Sequence, residues 1–166
     1  MSFRPDIVAT WIYRVPDPAH LERIELLLLR RARERPLAGL WQCVTGRIEA
    51  DERVALAALR EVAEETGITG DAIEAFYDMD LVSQFHWPDV DAVLSEVVFA
   101  VRVAPTTEPV LSAEHDDVRW VDPTEAIRLS VWPAYREAIE RVATILADPD
   151  RAVWLETGLD GRRVRN

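Results

Sequence analysis

Gly46-Arg-Ile-Glu-Ala-Asp-Glu52, then Arg53 to Leu59, then Arg60-Glu-Val-Ala-Glu-Glu-Thr-Gly-Ile68 form the stretch whose reading decides the fold. A glycine turn runs into a helical segment in which Glu61, Glu64 and Glu65 recur at offsets of three and four, so their carboxylates share one helical face. Like charges at that spacing repel by a few tenths of a kcal/mol when solvated and by more when partly buried, so a divalent cation is the economical counter-charge. Asp51 is placed to cap the amino end and Gly67 the carboxyl end, with the helix running to about Thr66. At about 100° per residue, Ala55, Leu56, Leu59, Val62 and Ala63 fall on the side away from the glutamates. The helix is thereby expected to pack one face and offer the other.

Working outward, Asp6 to Val15 is rich in β-branched and aromatic residues and stops at Pro16-Asp-Pro18, which reads as a strand and a turn. Arg23 to Arg31 is apolar enough for a buried strand and is a hairpin partner for the first. Trp41-Gln-Cys-Val-Thr45 is a short strand that delivers the chain to Gly46. After the helix, Ile73 to Trp87 reads as one or two strands broken near Asp78 to Asp80, Ala92 to Val103 as another, and Val118 to Val121 as a short one. Asp122-Pro123 opens a helix through Leu129, and Pro133 opens a second through about Ala147. Asp148-Pro-Asp150 ends it.

The chain has 166 residues, 49% hydrophobic and 30% charged, which fits one globular α/β domain at residues 1-147 with a carboxyl-terminal extension at 148-166. No run approaches a membrane span, and Met-Ser-Phe-Arg-Pro-Asp lacks the apolar core of a signal peptide, so a soluble cytoplasmic protein is expected. Cys43 is the only cysteine, which excludes an intramolecular disulfide or a thiolate zinc site and leaves it as a small buried apolar residue. The net charge of −11 argues against a nucleic-acid polymer or an anionic membrane as partner, since such surfaces need clustered Lys and Arg. A small phosphorylated substrate remains compatible, because carboxylate-bound metal ions reverse the local sign.

As a pattern, residues 46 to 68 are Gly, five residues, Glu, seven residues, Arg-Glu, an aliphatic, any residue, Glu-Glu, any residue, Gly, aliphatic. This resembles the signature of the Nudix hydrolases at every specified position. The resemblance implies an α/β/α sandwich with a mixed β-sheet and metal-dependent hydrolysis of a diphosphate linked to another group. By position, Glu61 and Glu65 resemble the main Mg2+ or Mn2+ ligands, Glu64 a further ligand or a base, and the Gly46 carbonyl an extra ligand, with Glu52 and Arg60 as supporting residues. Beside Glu61 and four residues from Glu64, the planar Arg60 guanidinium is able to orient a carboxylate.

Trp41-Gln-Cys-Val-Thr-Gly46 is also similar to the Trp-Gln-x-Val-Thr-Gly of the dihydroneopterin triphosphate pyrophosphatase branch of that family, as are Glu114-His115, Trp120-Val-Asp122, Trp132 and Arg136-Glu-Ala-Ile139. That match makes Glu114 a carboxylate supplied from outside the box, and Arg30, Thr45 and His115 candidate substrate contacts. Ala50-Asp51 replaces the Pro-Gly or Glu-Gly common before the first box glutamate, and Gln84 to Val90 departs from the branch. The implied function is pyrophosphohydrolysis of a nucleoside or pterin triphosphate to monophosphate and pyrophosphate. The alternatives are a hydrolase of diadenosine polyphosphates or another nucleoside diphosphate derivative, and a nucleotide-sensing module without turnover.

Among the remaining residues, His86 and Trp87 are candidates for stacking on or hydrogen-bonding a ring. Trp11 and Trp120, inside strands, are expected to be buried. Trp132 either lines the pocket or wedges its helix on the sheet. Glu96 either reaches the metal site or, as the preferred reading, sits at a solvated strand end, and His20 is a loop residue. Residues 150 to 166, with Ala152-Val-Trp-Leu155 and then Arg162, Arg163 and Arg165, add a strand, cover the pocket, contact a second subunit in a homodimer, or form a loose tail.

Overall fold

Apolar alternation and β-branched runs build a seven-stranded mixed sheet in a computed structural model that describes residues 4–165. Met1, Ser2 and Phe3, on which the reading of the amino-terminal start partly rests, and Asn166 lie outside them. The strands are β1 (Ile7–Arg14), β2 (Glu25–Arg31), β3 (Trp41–Gln42), β4 (Val44–Arg47), β5 (Ile73–Trp87), β6 (Ala92–Val103) and β7 (His115–Val121). They are accompanied by α1 (Val54–Thr66), α2 (Pro123–Leu129), α3 (Pro133–Ile145) and a single-turn α4 (Pro149–Ala152). The main path through the sheet is β3-β2-β1-β6-β5, with β4 paired to β1 and β7 to β2. β1 and β6 run parallel from Ile7↔Glu96 to Tyr13↔Arg102, and the other pairings are antiparallel.

The central strand β1 is apolar on both faces because helices cover both. Val8 and Ile12 face α1 together with Leu27, Leu29, Val44, Phe99 and Val101, and meet Ala57, Ala58 and Val62 of the helix. Ala9, Trp11 and Tyr13 face α3 with Leu26, Leu28, Val98 and Ala100, and meet Tyr135, Ala138, Ile139 and Val142. Each large apolar side chain buried this way contributes about 1.5–3 kcal/mol. Trp11 is fully buried and edge-on to Tyr135 at 5.3 Å, whereas Trp120 is half-buried under the Arg14 guanidinium.

The expected single strand at 41–45 is divided at Cys43 into β3, which pairs with β2, and β4, which pairs with β1. The break near Asp78 is a register shift inside one continuous β5, with Asp80 at φ 50. Helix α1 starts later than its sequence signals indicate: Arg53 occupies the cap with no side-chain hydrogen bond, and Asp51 sits at φ 61, turning the loop instead. Gly67 does cap the carboxyl end, at φ 69, donating its N–H to Ala63. Asp122 caps α2 through Glu125 N–H at 2.9 Å.

Asp148-Pro-Asp150 separates α3 from α4, as the break expected after the Pro133 helix, and the chain continues in order beyond it. Asp148 caps α4, Ala152 enters the α3-side core, and the chain then follows the edge of β5, with Asp78 N–H donating to the Leu155 carbonyl and Thr157 N–H to that of Phe76. Farther on, the Gly161 carbonyl accepts from Arg53 at the start of α1.

Candidate active site

The site is built where β4 runs out under α1. Gly46 faces the helix in register with Val8, and a Cβ placed on it would lie 1.9 Å from the Glu61 carboxyl carbon. Only a residue without a side chain lets that carboxylate lie against the strand. The loop that follows is tied down by Arg4, whose guanidinium donates to the carbonyls of Glu49 and Glu52.

Arg60 organises the outer half of the cluster. It donates through Nε and Nη2 to Glu52 at 2.9 and 3.0 Å, through Nη1 to Glu61 at 2.6 Å and to Glu64 at 3.3 Å, and through Nη2 to the Arg47 carbonyl at 2.9 Å. These charge-assisted contacts hold the Glu52 carboxyl below the usual range and the Arg60 guanidinium charged. Glu61 is pulled down by Arg60 but pushed further up by burial and by the charges of Glu64 and Glu114, so its net shift is upward.

Glu65 differs from its neighbours. The helical wheel groups it with Glu61 and Glu64 on an offered face, but it is only 4% exposed, tucked between the helix and the sheet end. Its Oε2 is buried with no hydrogen-bond partner, although the Thr45 N–H lies close enough to favour its charge. Burial, then the charges of Glu61 and Glu114, lift its pKa to about 9. His115 Nε2 stands 3.9 Å from Glu65 Oε2, and both ring nitrogens are buried without partners. Burial and the Arg31 charge press the His115 pKa down to about 4, so a neutral imidazole faces a neutral carboxyl and the pair is not an ion pair.

Glu114 reaches the cluster from the loop before β7. Its carbonyl accepts from Ala32 N–H at 2.9 Å, and its carboxylate takes Arg31 Nη1 at 3.0 Å. Arg31 is the residue the sequence reading missed. Arg30 turns outward to Asp116 at 2.7 Å and Asp117 at 3.5 Å, and the alternation of β2 puts Arg31 on the α1 face with Leu27 and Leu29. Two consecutive arginines at a strand end were the available signal, and the alternation of Leu26 to Leu29 separates them once it is known which face of β2 meets α1.

Thr45 points to the α3 face, in register with Ala9, so it touches the cluster through its backbone. His86 and Trp87 lie at the far end of β5 on opposite faces of the strand. His86 meets Asp91 at 3.3 Å and Trp87 tilts against Phe85, and neither joins the carboxylates. Trp132 caps α3 and is 42% exposed. Glu96 is neither among the α1 carboxylates nor solvated. It is buried on the α3 face, a consequence of its register with Ile7.

Among the described residues, no three Asp, Glu, His or Cys side chains are gathered as a ready-made metal cage. Glu61 and Glu64 are turned to Arg60. The donor set nevertheless fits a hard divalent cation. Glu61, Glu64, Glu65 and Glu114 offer only oxygens, and Glu65 carries an orphaned buried oxygen, its pKa raised by burial and then by its acidic neighbours.

The NUDIX domain family matches residues 8–142. An octanoyltransferase of Myxococcus xanthus is 38% identical over 116 residues, which cover 70% of this chain and 31% of that protein, so the chain spans about a third of the length of that relative. The structure of the Escherichia coli dihydroneopterin triphosphate pyrophosphohydrolase is 27% identical with a TM-score of 0.69, covering 84% of this chain and 95% of that one. A Caenorhabditis elegans Ap4A hydrolase complex is similar in fold, with a TM-score of 0.70 at 22% identity over 87% of this chain and 98% of that one.

Proposed function

The chain belongs to the NUDIX family, and from that premise we propose that it is a Mg2+- or Mn2+-dependent pyrophosphohydrolase that splits a nucleoside or pterin triphosphate into monophosphate and pyrophosphate. The observation that carries this is the buried Glu65 oxygen left without a partner and within the field of Glu61 and Glu114, with Glu61 lying against Gly46. The Thr45-Gly46 step and the Glu114-His115 pair add support for a triphosphate of the pterin or purine kind, as does likeness to the Escherichia coli pyrophosphohydrolase.

In this reading Glu61, Glu64, Glu65 and Glu114 hold the cation, with the Gly46 carbonyl as a further donor. The chemistry supplied by a bound divalent cation is neutralisation of charge on phosphate oxygens and acidification of water. The protein's own residues do the rest. Arg60 would orient Glu61 and steady Glu64, with Glu52 retaining the guanidinium. Glu65 would hold a cation as the carboxylate, because the same low-dielectric position that raises its pKa amplifies the attraction of a positive charge. Glu64, 59% exposed at its side chain and only weakly held by Arg60, is the carboxylate free to take a proton from attacking water. Arg31 orients Glu114 and offers a second positive charge to the polyphosphate.

The test is hydrolysis by the purified chain of a panel of nucleoside triphosphates, dihydroneopterin triphosphate, diadenosine polyphosphates and nucleoside diphosphate sugars with Mg2+ or Mn2+, with products identified. Release of pyrophosphate from a triphosphate is expected. Tight binding of one panel member with no turnover of any would overturn the reading in favour of a sensor, and preferential cleavage of the dinucleotides would redirect it.

A further inference from the structure

Glu96 takes no part in the chemistry above, yet it is a carboxylate buried to 6% exposure that forms no ion pair among the described residues. It is in phase on β6 with Val98 and Ala100, so its side chain lies on the α3 face, away from α1. Its lateral neighbours on that face are Ile7 of β1, Arg47 of β4 and Ser83 of β5. Toward the core the next row is Thr45, Ala9 and Val98; outward it is Leu94 with the half-buried Phe85. A cleft of about 380 Å3 opens beside it, lined by Ile7, Arg47 and Leu94 together with Arg4 to Asp6 and Ile48 to Ala50.

One hydrogen bond accounts for Glu96 among the described residues: the Ser83 hydroxyl donates to Oε1 at 3.3 Å. Burial lifts its pKa to about 7, and Ser83 offsets only part of that. A carboxylate has about four acceptor positions, so most of its capacity is unused. The position is also adjacent to the chemistry. Gly46 touches Glu61 on one face of β4 while Thr45 and Arg47 project from the other, so a substrate whose phosphates lie over α1 can turn its ring around the end of that strand.

Given the proposed triphosphate hydrolysis, on which this step rests, we propose that Glu96 is the specificity residue of a ring subsite on the α3 face. It accepts from the paired N–H donors of an amino-pyrimidinone edge, which guanine and pterin rings share. The chemistry selects that edge. A carboxylate accepts at two parallel oxygens, and a ring N–H beside an exocyclic amine supplies two parallel donors. Adenine sets an acceptor beside its amine, and uracil flanks its N–H with carbonyls, so both leave a buried carboxylate oxygen opposed or unpaired. Ile7, Leu94 and Phe85 supply the apolar surround that such a ring requires.

The experiment measures kcat and KM for GTP, ITP, ATP and dihydroneopterin triphosphate with Mg2+, for the full chain and for Glu96→Gln and Ser83→Ala. ITP keeps the ring N–H but lacks the amine, so the unsubstituted protein is expected to favour GTP over ITP by about 10- to 100-fold. In Glu96→Gln that ratio falls to about one, and GTP and dihydroneopterin triphosphate lose roughly the same factor, chiefly in KM, while ATP changes by less than about threefold. The ring with the higher kcat/KM in the unsubstituted protein identifies which of the two sources the site serves. Ser83→Ala, which removes the only hydroxyl holding Glu96, is expected to narrow the GTP-to-ITP ratio by about threefold and carries the test alone should Glu96→Gln not fold. Equal rates for GTP and ITP in the unsubstituted protein, or a preference unchanged in the variants, overturn the role of Glu96 and leave hydrolysis standing. Absence of turnover for every triphosphate overturns the hydrolase reading itself.

Discussion

The carboxylates of this protein fall into two groups that the chain treats differently. Glu52, Glu61 and Glu64 share Arg60 and keep water on one side, whereas Glu65 on the α1 face and Glu96 on the α3 face are buried and meet no Lys or Arg in an ion pair among the described residues. The first group resembles many partly exposed ion-pair networks, in which geometry is held and little net stability is gained. The second costs stability, since a buried carboxyl either pays for desolvation or takes up a proton. In the functions proposed above, a ligand supplies the partner each one lacks: positive charge for Glu65, paired N–H donors for Glu96. β4 lies between them, with Gly46 turned to one and its neighbours Thr45 and Arg47 to the other.

The sharpest way to break this contrast is to neutralise one member of each group. Glu65→Gln is expected to lower kcat by about 10³-fold, because a carboxylate aimed at developing charge in a water-poor site is worth more than an exposed one. Circular dichroism should show the fold intact, and a turnover within tenfold of normal would remove Glu65 from the chemistry. Arg60→Ala leaves the carboxylates but loses what aims them, so activity should drop by about 10- to 100-fold, with a higher Mg2+ concentration needed for half-maximal rate. Arg60→Lys should recover only part, since an ammonium cannot reproduce the forked contacts to Glu52 and the Arg47 carbonyl. Arg31→Ala is expected to fall in the same range or below it, through Glu114.

The paired group was legible in the sequence because its whole logic is local. Gly46, Glu52, Arg60, Glu61 and Glu64 lie on one turn and one helix, and their spacing alone brings them together. Gly67 was legible for the same reason, as a residue that tolerates φ 69. The uncompensated group was not, because its burial is decided by distant segments. Glu65 belongs to the offered face of an isolated helix. It becomes buried only when the loop after residue 109 crosses the helix end, with Val110 N–H donating to Thr66 and Ser112 N–H to Glu65. Glu96 begins an apolar run, where a charged residue normally marks a solvated strand end, and only its parallel register with β1 carries it inside. The same reasoning explains the helix start: Asp51 has the right chemistry for a cap, but the tether from Arg4 to the carbonyls of Glu49 and Glu52 shapes the loop so that Arg53 takes the position.

The smallest expected effect separates the groups by stability rather than rate. For Glu65 the folded pKa, about 9, lies above the ordinary 4.5, so between those values the folded protein holds a proton that the unfolded chain has released. Stability is therefore lost as pH rises through that window. His115 acts in the opposite sense, its folded value of about 4 lying below 6.5, so its contribution is lost as pH falls between those limits and is constant above them. From pH 6.5 to 9 Glu65 acts without that opposition, and in the presence of a chelator the unfolding free energy should fall by about 3 kcal/mol across the interval. Added Mg2+ should flatten the slope, because the cation holds the ionised form in the folded state. Glu65→Gln should flatten it without metal and leave the chelated protein more stable at pH 8.5 than its parent, even as turnover is lost. Denaturant melts at pH 6.5 and 8.5 decide the matter: an unchanged slope in the variant would mean that Glu65 is ionised in the free protein, and the distinction between the two groups of carboxylates would fall with it.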